Sequence, residues 1–261
     1  MASINSSLKW LNILALIVMV VVNGLAGGTT IIGGKNTAQI SDTNPTLITP
    51  ASYAFSIWGI IYIMLGIFVF YQALSNQRAK EFREKVGYLF IASCILNIFW
   101  LFLWQFEYLI FSVFVIFLLL ATLIAIYLSL EVGKVSLSLN EKIAFQLPFS
   151  VYLGWISIAS IANVATTLVS VKWDGFGISH EVWASSLIII VLVITLLVIA
   201  TKKDVAYGLV IIWALLGIAV NQSEKQDIVI AIGASTIIIL ATLILSILKN
   251  KKTKFLSLLT F

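Results

Sequence analysis

Two segments of the chain carry the same aromatic and polar pattern at helical spacing. One contains Trp155, Ala159 and Asn163, and the other contains Trp213, Gly217 and Asn221. Residues four and eight positions apart lie along one face of an α-helix. Indole and amide side chains can stack on a flat ring and hydrogen-bond to it, but they include neither a nucleophile nor a general base. The pattern therefore indicates binding of a small molecule more than covalent or acid–base chemistry.

Other aromatic and amide side chains are predicted to join this site. Asn97 lies one turn before Trp100. A buried amide in lipid is costly unless it is hydrogen-bonded, so Asn97 and Asn163 are expected to face the interior of a helical bundle. The preceding helix adds further rings at similar depth, the last one turn deeper: Tyr53, Phe55, Trp58 and Tyr62. Packing bulk remains the alternative for each interior tryptophan, and four others are assigned to an interfacial aromatic belt: Trp10, Trp104, Trp173 and Trp183.

Eight apolar segments must position these residues. They cover residues 10–28, 54–76, 86–105, 108–130, 143–170, 182–201, 205–222 and 228–248. A helix needs about 20 residues to cross the hydrocarbon core of a bilayer. The composition agrees, with 61% hydrophobic residues, 10% charged residues and a mean hydropathy of +1.09. The predicted fold class is all-α: a polytopic integral membrane bundle of eight transmembrane helices.

The basic residues predict the orientation of this bundle. When the connections are counted alternately, 13 of the 16 Lys and Arg residues fall on one side. The positive-inside rule then places both termini in the cytoplasm of a multi-pass cell-membrane protein. The predicted site lies in the outer half, under the long first loop (residues 28–49), which we expect to be a lid, with a solvated loop as the alternative. We interpret the first apolar segment as a retained helix, although its small residues also fit a cleavable signal peptide.

Missing residue types exclude several classes of protein. None of the eight segments contains Asp, Glu, Lys, Arg or His, which argues against ion-coupled transporters, proton pumps and voltage sensors. Clusters of metal ligands are absent as well, and the net charge of +5 reflects topology more than nucleic-acid binding. Expected partners are membrane lipids and a hydrophobic small molecule. The Gly24–Gly28 pair is interpreted as packing within the chain, with a homodimer as the alternative.

Three motifs resemble one known family. They are residues 50–66, residues 96–100 (Leu-Asn-Ile-Phe-Trp), and Leu147-Pro148-Phe149 followed by Trp155. Together they are similar to the translocator protein / tryptophan-rich sensory protein (TspO/MBR) family over roughly residues 8–170. The resemblance implies a five-helix bundle that binds porphyrins, sterol-like or other hydrophobic ligands, with the first loop as a lid. It also implies these pocket residues: Trp58, Asn97, Trp100, Trp155, Ala159 and Asn163.

The resemblance also predicts how the chain is divided. Residues 1–171 would form the TspO-like bundle, and residues 172–261 would add three transmembrane helices and a basic cytoplasmic tail within one membrane domain. We predict a binding protein for a hydrophobic or flat aromatic molecule (porphyrin-, sterol- or pigment-like) that acts as a sensor, carrier or regulator. Porphyrin as a cofactor follows only from the resemblance. An uncoupled small-molecule transporter and a pigment-degrading enzyme remain the alternatives, and catalysis is the less favoured reading.

Overall fold

The computed structural model describes residues 2–74, 77–135 and 137–259, with side chains described for 7–74, 79–135 and 137–249. Four basic residues of the charge count lie outside the described side chains: Arg78, Lys251, Lys252 and Lys254. The described helices are α1 Ala2–Gly28, α2 Thr37–Thr43, α3 Ile57–Gln72, α4 Gln77–Gln105, α5 Leu109–Ser129, α6 Leu139–Glu141, α7 Leu147–Ser170, α8 His180–Lys202, α9 Val205–Asn221 and α10 Gln226–Leu259. Short 3-10 turns cover Ser52–Ser56 and Gly175–Gly177, and a π-helical turn covers Lys142–Gln146.

Within the described residues, seven helical spans are long and apolar enough to cross a membrane, and two of them include the short turns that precede α3 and α7: Ser52–Gln72 and Leu139–Ser170. They correspond to seven of the eight predicted segments, so the prediction of an all-α, polytopic membrane bundle is confirmed. The eighth predicted segment, 205–222, forms the apolar helix α9, which has only 17 residues. At 1.5 Å per residue such a helix is about 26 Å long, a little short of the roughly 30 Å hydrocarbon core.

Contacts between helices define their relative directions. Leu8 of α1 packs against Gly87 of α4, and further along both helices Asn23 Nδ2 donates to Asn97 Oδ1 at 2.7 Å. These two helices therefore run parallel. We call the end of the bundle that carries residues 29–51 the first-loop end.

The later helices alternate in direction as the segment order predicts. Near the first-loop end, Thr167 of α7 donates to the carbonyl of Leu109 at the start of α5. At the other end, Gln146 donates to the carbonyl of Leu130, so α5 and α7 are antiparallel. Helix α9 ends at the first loop, where the amide of Asn221 donates to the carbonyl of Thr49.

The half of the bundle away from the first loop is filled by phenylalanine side chains. Phe68 is fully buried, and its ring centroid lies 5.0 Å from those of Phe90 and Phe149 in edge-to-face contact. Phe145 extends the cluster at 6.1 Å from Phe68. Close edge-to-face packing of this kind leaves little free space between helices.

The structure extends one predicted segment and corrects one local interpretation. The apolar segment 86–105 forms the second part of α4, which already begins at Gln77, and Arg83 in its first turns is buried and donates to the carbonyl of Gln72 at 2.6 Å. That carbonyl lies at the end of α3, where the helix provides no partner for it. The Gly24–Gly28 pair was expected to pack within the chain, but an added Cβ at either glycine would meet no atom within 4 Å. Both positions therefore face open space.

Candidate functional site

A narrow cavity lies at the first-loop end between α2, α3, α4 and α7. Its empty volume is about 470 Å³, which includes space open to the outside. The lining residues are Thr37, Ser41, Pro50, Phe55, Trp58, Trp100, Trp104, Trp155, Ile158, Ala159, Ala162, Asn163 and Thr166. Aromatic rings, aliphatic groups and small polar groups line it, and none of the residues in this list carries a formal charge.

Four stacked rings form an aromatic column along one wall. The order is Tyr62, Trp58, Trp100 and Trp104, with successive ring centroids 5.7, 6.4 and 5.7 Å apart. Successive planes are inclined by only 21°, 29° and 27°, so the rings are close to parallel. Trp155 meets the column edge-on, with its centroid 6.3 Å from that of Trp58. Parallel rings beside a cavity favour stacking of another flat ring.

Asn163 holds the column through hydrogen bonds. Its Oδ1 accepts from Trp100 Nε1 at 2.8 Å, and its Nδ2 donates to Ser112 Oγ at 2.9 Å. The hydroxyl of Thr167, one turn further along α7, lies 3.4 Å from the same nitrogen. Asn163 lines the cavity, but protein partners already occupy its amide. Its observed role is therefore to orient Trp100.

Asn97 belongs to a second buried network outside the cavity lining. Its Oδ1 accepts from Asn23, and its Nδ2 donates to the hydroxyl of Tyr152 at 3.0 Å. All three side chains are at least 90% buried, and they join α1, α4 and α7. The prediction that Asn97 faces the bundle interior is confirmed, because an amide in this setting needs hydrogen-bond partners.

The indole nitrogen of Trp155 differs from its neighbours. Trp155 lines the cavity and is only 2% exposed, yet its Nε1 has no hydrogen-bond partner within the described part of the chain. An unpaired buried N–H costs about 1–3 kcal/mol. Native structures rarely leave such a group without a reason. Trp155 thus lines the cavity and carries an unpaired, buried donor.

The first loop covers the cavity with a short helix. Asn36 caps α2 through a capping box with Gln39, and Thr37 and Ser41 line the cavity. Trp104 Nε1 donates to the carbonyl of Thr37 at 3.2 Å, which ties this helix to α4. The long first loop is therefore an ordered cover rather than a solvated connection.

Residues 49–54, which we call the mouth segment, lead from this cover into α3. Pro50 lines the cavity, and Phe55 directly after the segment lies edge-on to Trp155 with centroids 5.9 Å apart. The opposite side of the segment contacts α9, where Trp213 Nε1 donates to the carbonyl of Ala54 at 3.0 Å. The segment thus separates α9 from the cavity.

Comparison with known families adds one finding to this geometry. A family model described as TSPO-like protein matches residues 9–247. The chain belongs to the TSPO-like protein family. No curated protein and no solved structure matches it. The match extends beyond the roughly 170 residues over which the motifs resembled TspO/MBR proteins, and it includes α8, α9 and most of α10.

The structure of this TSPO-like chain brings together six of the eleven predicted site residues: Phe55, Trp58, Trp100, Trp155, Ala159 and Asn163. Tyr62 extends the aromatic column and Asn97 packs beside it, but neither lines the cavity. The other three, Tyr53, Trp213 and Asn221, lie where the mouth segment contacts α9 and do not line the cavity. Tyr53 contacts the ring of Trp213, and Asn221 hydrogen-bonds Thr49.

Sequence reasoning missed several cavity residues in this TSPO-like chain: Thr37, Ser41, Pro50, Trp104, Ile158, Ala162 and Thr166. The assignment of Trp104 to the aromatic belt was wrong, because this side chain is buried and stacks on Trp100. Its position four residues after Trp100 was the signal that could have identified it. Within the described residues, no group of three His, Cys, Asp or Glu side chains is placed to hold a metal ion.

Proposed function

We propose that this membrane protein binds a flat, largely apolar small molecule with a hydrogen-bond acceptor in the cavity at the first-loop end. The observation that carries the proposal is the unpartnered Nε1 of Trp155, a residue whose side chain lines the cavity. An acceptor on the ligand would satisfy this donor, which otherwise remains buried at a cost. Trp58 and Trp100 would supply the stacking surface, and Asn163 would keep Trp100 in place.

The chemistry of the lining supports a ligand whose buried part is uncharged. The cavity is lined by aromatic, aliphatic, hydroxyl and amide side chains. Burial of a formal charge without an opposite charge nearby is strongly unfavourable. Porphyrin-, sterol- and pigment-like molecules with neutral cores fit this description. The protein would act as a sensor, carrier or regulator of such a molecule.

The packing below the cavity favours binding over transport. A facilitative transporter needs access to its site from both sides of the membrane. Here Phe68, Phe90 and Phe149 fill the half of the bundle beyond the cavity. The lining also lacks a general acid or base, which favours binding over acid–base degradation of the ligand.

We also propose the orientation indicated by the charges. The first-loop end would face the outside of the cell membrane, and both termini would lie in the cytoplasm. The support is the distribution of Lys and Arg, 13 on one side among 16 in total. A ligand would then enter from the outer half of the membrane, beneath the cover formed by α2.

Two related probes test the proposed binding. Menadione is a flat naphthoquinone with two carbonyl acceptors, and 2-methylnaphthalene is a similar ring system without them. Equilibrium dialysis would compare purified protein in lipid nanodiscs with empty nanodiscs. One hydrogen bond contributes about 1 kcal/mol, so we expect wild type to bind menadione about fivefold more tightly than 2-methylnaphthalene.

The variant Trp155→Phe keeps an aromatic ring but removes the N–H, and we expect it to lose this preference. Trp10→Phe is the matched control, because Trp10 is 62% exposed and remote from the cavity. It should retain the preference of wild type. Binding of neither probe above the nanodisc background, or an unchanged preference in Trp155→Phe, would overturn the proposal.

A further inference from the structure

The mouth segment lies between the candidate cavity and α9. On its inner side, Pro50 lines the cavity, and Phe55 follows with its ring against Trp155. On its outer side, the segment contacts the Trp213, Gly217 and Asn221 face of α9. Any displacement of this segment would therefore change the shape of the cavity without a change in its lining residues.

Helix α9 forms hydrogen bonds with three backbone groups of the mouth segment, at residues 49, 51 and 54. Asn221 Nδ2 donates to the carbonyl of Thr49 at 3.0 Å. The backbone N–H of Ala51 donates to the carbonyl of Gly217 at 2.9 Å. Trp213 Nε1 completes the set by donating to the carbonyl of Ala54. Thr49 and Ala51 lie outside any helical turn and obtain these partners from α9, whereas the carbonyl of Ala54 also accepts from the backbone N–H of Ile57 within its own 3-10 turn.

Gly217 permits the close approach on which these bonds depend. A Cβ added there would lie 2.8 Å from the Cβ of Ala54 and 3.2 Å from the Cβ of Pro50. Neither atom is the end of a flexible side chain, so the backbone of the mouth segment would have to move. Glycine is therefore required by space at this position, not by backbone conformation.

A physical reason connects these contacts to the membrane. Irregular backbone at membrane depth is tolerated only where protein groups satisfy its N–H and C=O groups. The mouth segment enters α3 through a 3-10 turn, Ser52–Ser56, and α9 provides partners for the carbonyl of Thr49 and the N–H of Ala51 just before this turn. The repeated Trp–small–Asn pattern of α7 and α9 thus has two different uses: α7 faces the cavity, and α9 faces the backbone of its wall.

We propose that α9 is a positioning element for the cavity, and that Trp213, Gly217 and Asn221 hold the mouth segment at the distance that ligand binding requires. This inference rests on the proposed function, because it concerns the affinity of the same cavity. It gives the C-terminal helices a role in binding although α9 contributes no lining residue.

The contact itself can be tested without a ligand. Cys94 is the single cysteine of the chain and is buried, so an introduced cysteine is readily distinguished. Thr49 is 2% exposed and does not line the cavity, so Thr49→Cys should react slowly with N-ethylmaleimide. We expect the added substitution Asn221→Ala to accelerate labelling about tenfold, because the carbonyl of residue 49 loses its partner and the segment opens locally.

Menadione affinity then tests the positioning role. Gly217→Ala should weaken menadione binding about fivefold, since a displaced wall must be reordered when the ligand binds. Gly217→Ala combined with Ala54→Gly removes the 2.8 Å conflict and should recover most of the affinity. Gly233→Ala, on α10 with no atom within 4 Å of the added Cβ, is the matched control and should bind like wild type.

The results separate the two proposals. If wild type binds menadione, two results would overturn the positioning role. One is an unchanged labelling rate when Asn221→Ala is added to Thr49→Cys, and the other is equal menadione affinity in Gly217→Ala and Gly233→Ala. Failure of Ala54→Gly to restore binding would do the same. If wild type itself does not bind menadione, the proposed function is overturned and the positioning role with it.

Discussion

At the scale of single residues, the two tryptophans Trp100 and Trp155 differ in the partner of the indole N–H. The Nε1 of Trp100 donates to Asn163 at 2.8 Å, whereas the Nε1 of Trp155 has no partner among the described residues. Both side chains are at least 95% buried and both line the cavity. The first N–H therefore contributes to the folded structure, and the second is the donor that the proposed ligand would pair with.

This difference predicts unequal effects of the same substitution on stability. Trp100→Phe and Trp155→Phe remove similar volume, but only Trp100→Phe breaks a hydrogen bond within the protein. The free energy of unfolding should fall by roughly 1 kcal/mol more in Trp100→Phe. Titration with sodium dodecyl sulfate in mixed micelles would measure both values. A larger loss in Trp155→Phe would contradict the assignment of roles.

Among the predicted amides, the sequence indicated burial correctly but not function. A buried Asn in a membrane helix must find hydrogen-bond partners, so the interior position of Asn97 and Asn163 could be predicted. The partners could not be predicted. Asn163 bonds Trp100, which is 63 positions away, and Asn97 bonds Asn23 and Tyr152. Only the packing of the helices shows that these amides already serve the protein.

At the scale of secondary-structure elements, the cover formed by α2 depends on a close contact between the first loop and α4. Gly33 has a φ of +75°, and a Cβ added to it would overlap the carbonyl oxygen of Gln105. Gln105 in turn donates its amide to the carbonyls of Ala26 and Lys35 at 2.9 and 3.2 Å. These contacts attach the cover to the end of α4.

Substitutions at two adjacent glycines should separate the effect of backbone strain from the effect of losing this contact. Gly34 has a similar φ of +79°, but an added Cβ meets no atom within 4 Å. Both Gly33→Ala and Gly34→Ala place an alanine in the left-handed backbone conformation, which costs about 1–2 kcal/mol. Only Gly33→Ala also displaces the loop from α4. Hydrogen exchange of α2 amides should be about tenfold faster in Gly33→Ala than in Gly34→Ala.

Equal exchange in the two variants would show that the contact with Gln105 does not secure the cover. The helix α2 itself had a recognisable signal in the sequence. Asn36 and Gln39 have the spacing of a capping box, which marks a helix start. The Gly-, Thr- and Asn-rich composition of the loop concealed this short helix.

At the scale of the whole molecule, the orientation and the path of α9 can be tested together. Lys203 precedes α9 and Glu224 follows it, and both are exposed. If α9 crosses the membrane with the proposed orientation, Glu224→Cys should react with a membrane-impermeant maleimide in intact cells. Lys203→Cys should react only after permeabilisation.

Labelling of both cysteines from the same side would show that α9 does not cross. If Lys203→Cys reacts in intact cells and Glu224→Cys reacts only after permeabilisation, the orientation is opposite to the one proposed. The chain without an introduced cysteine is the control, because Cys94 is buried in α4. A crossing by a helix of 17 residues would require local thinning of the bilayer or polar residues at both ends, as found for short transmembrane helices.

What the sequence determined by itself was the all-helical membrane fold and the order of its helices, although α9, with 17 residues, is shorter than the seven spans. In a bilayer the backbone N–H and C=O groups of each helix must form hydrogen bonds within that helix, so an apolar run of sufficient length already predicts a span. The motifs in the sequence also placed the interior aromatic residues at one end of the bundle. What only the tertiary structure decided was the use of those residues, since the same Trp–small–Asn pattern faces a cavity on α7 and a backbone segment on α9. The partners of a side chain come from helices distant in sequence, and local spacing contains no information about which of them will be adjacent.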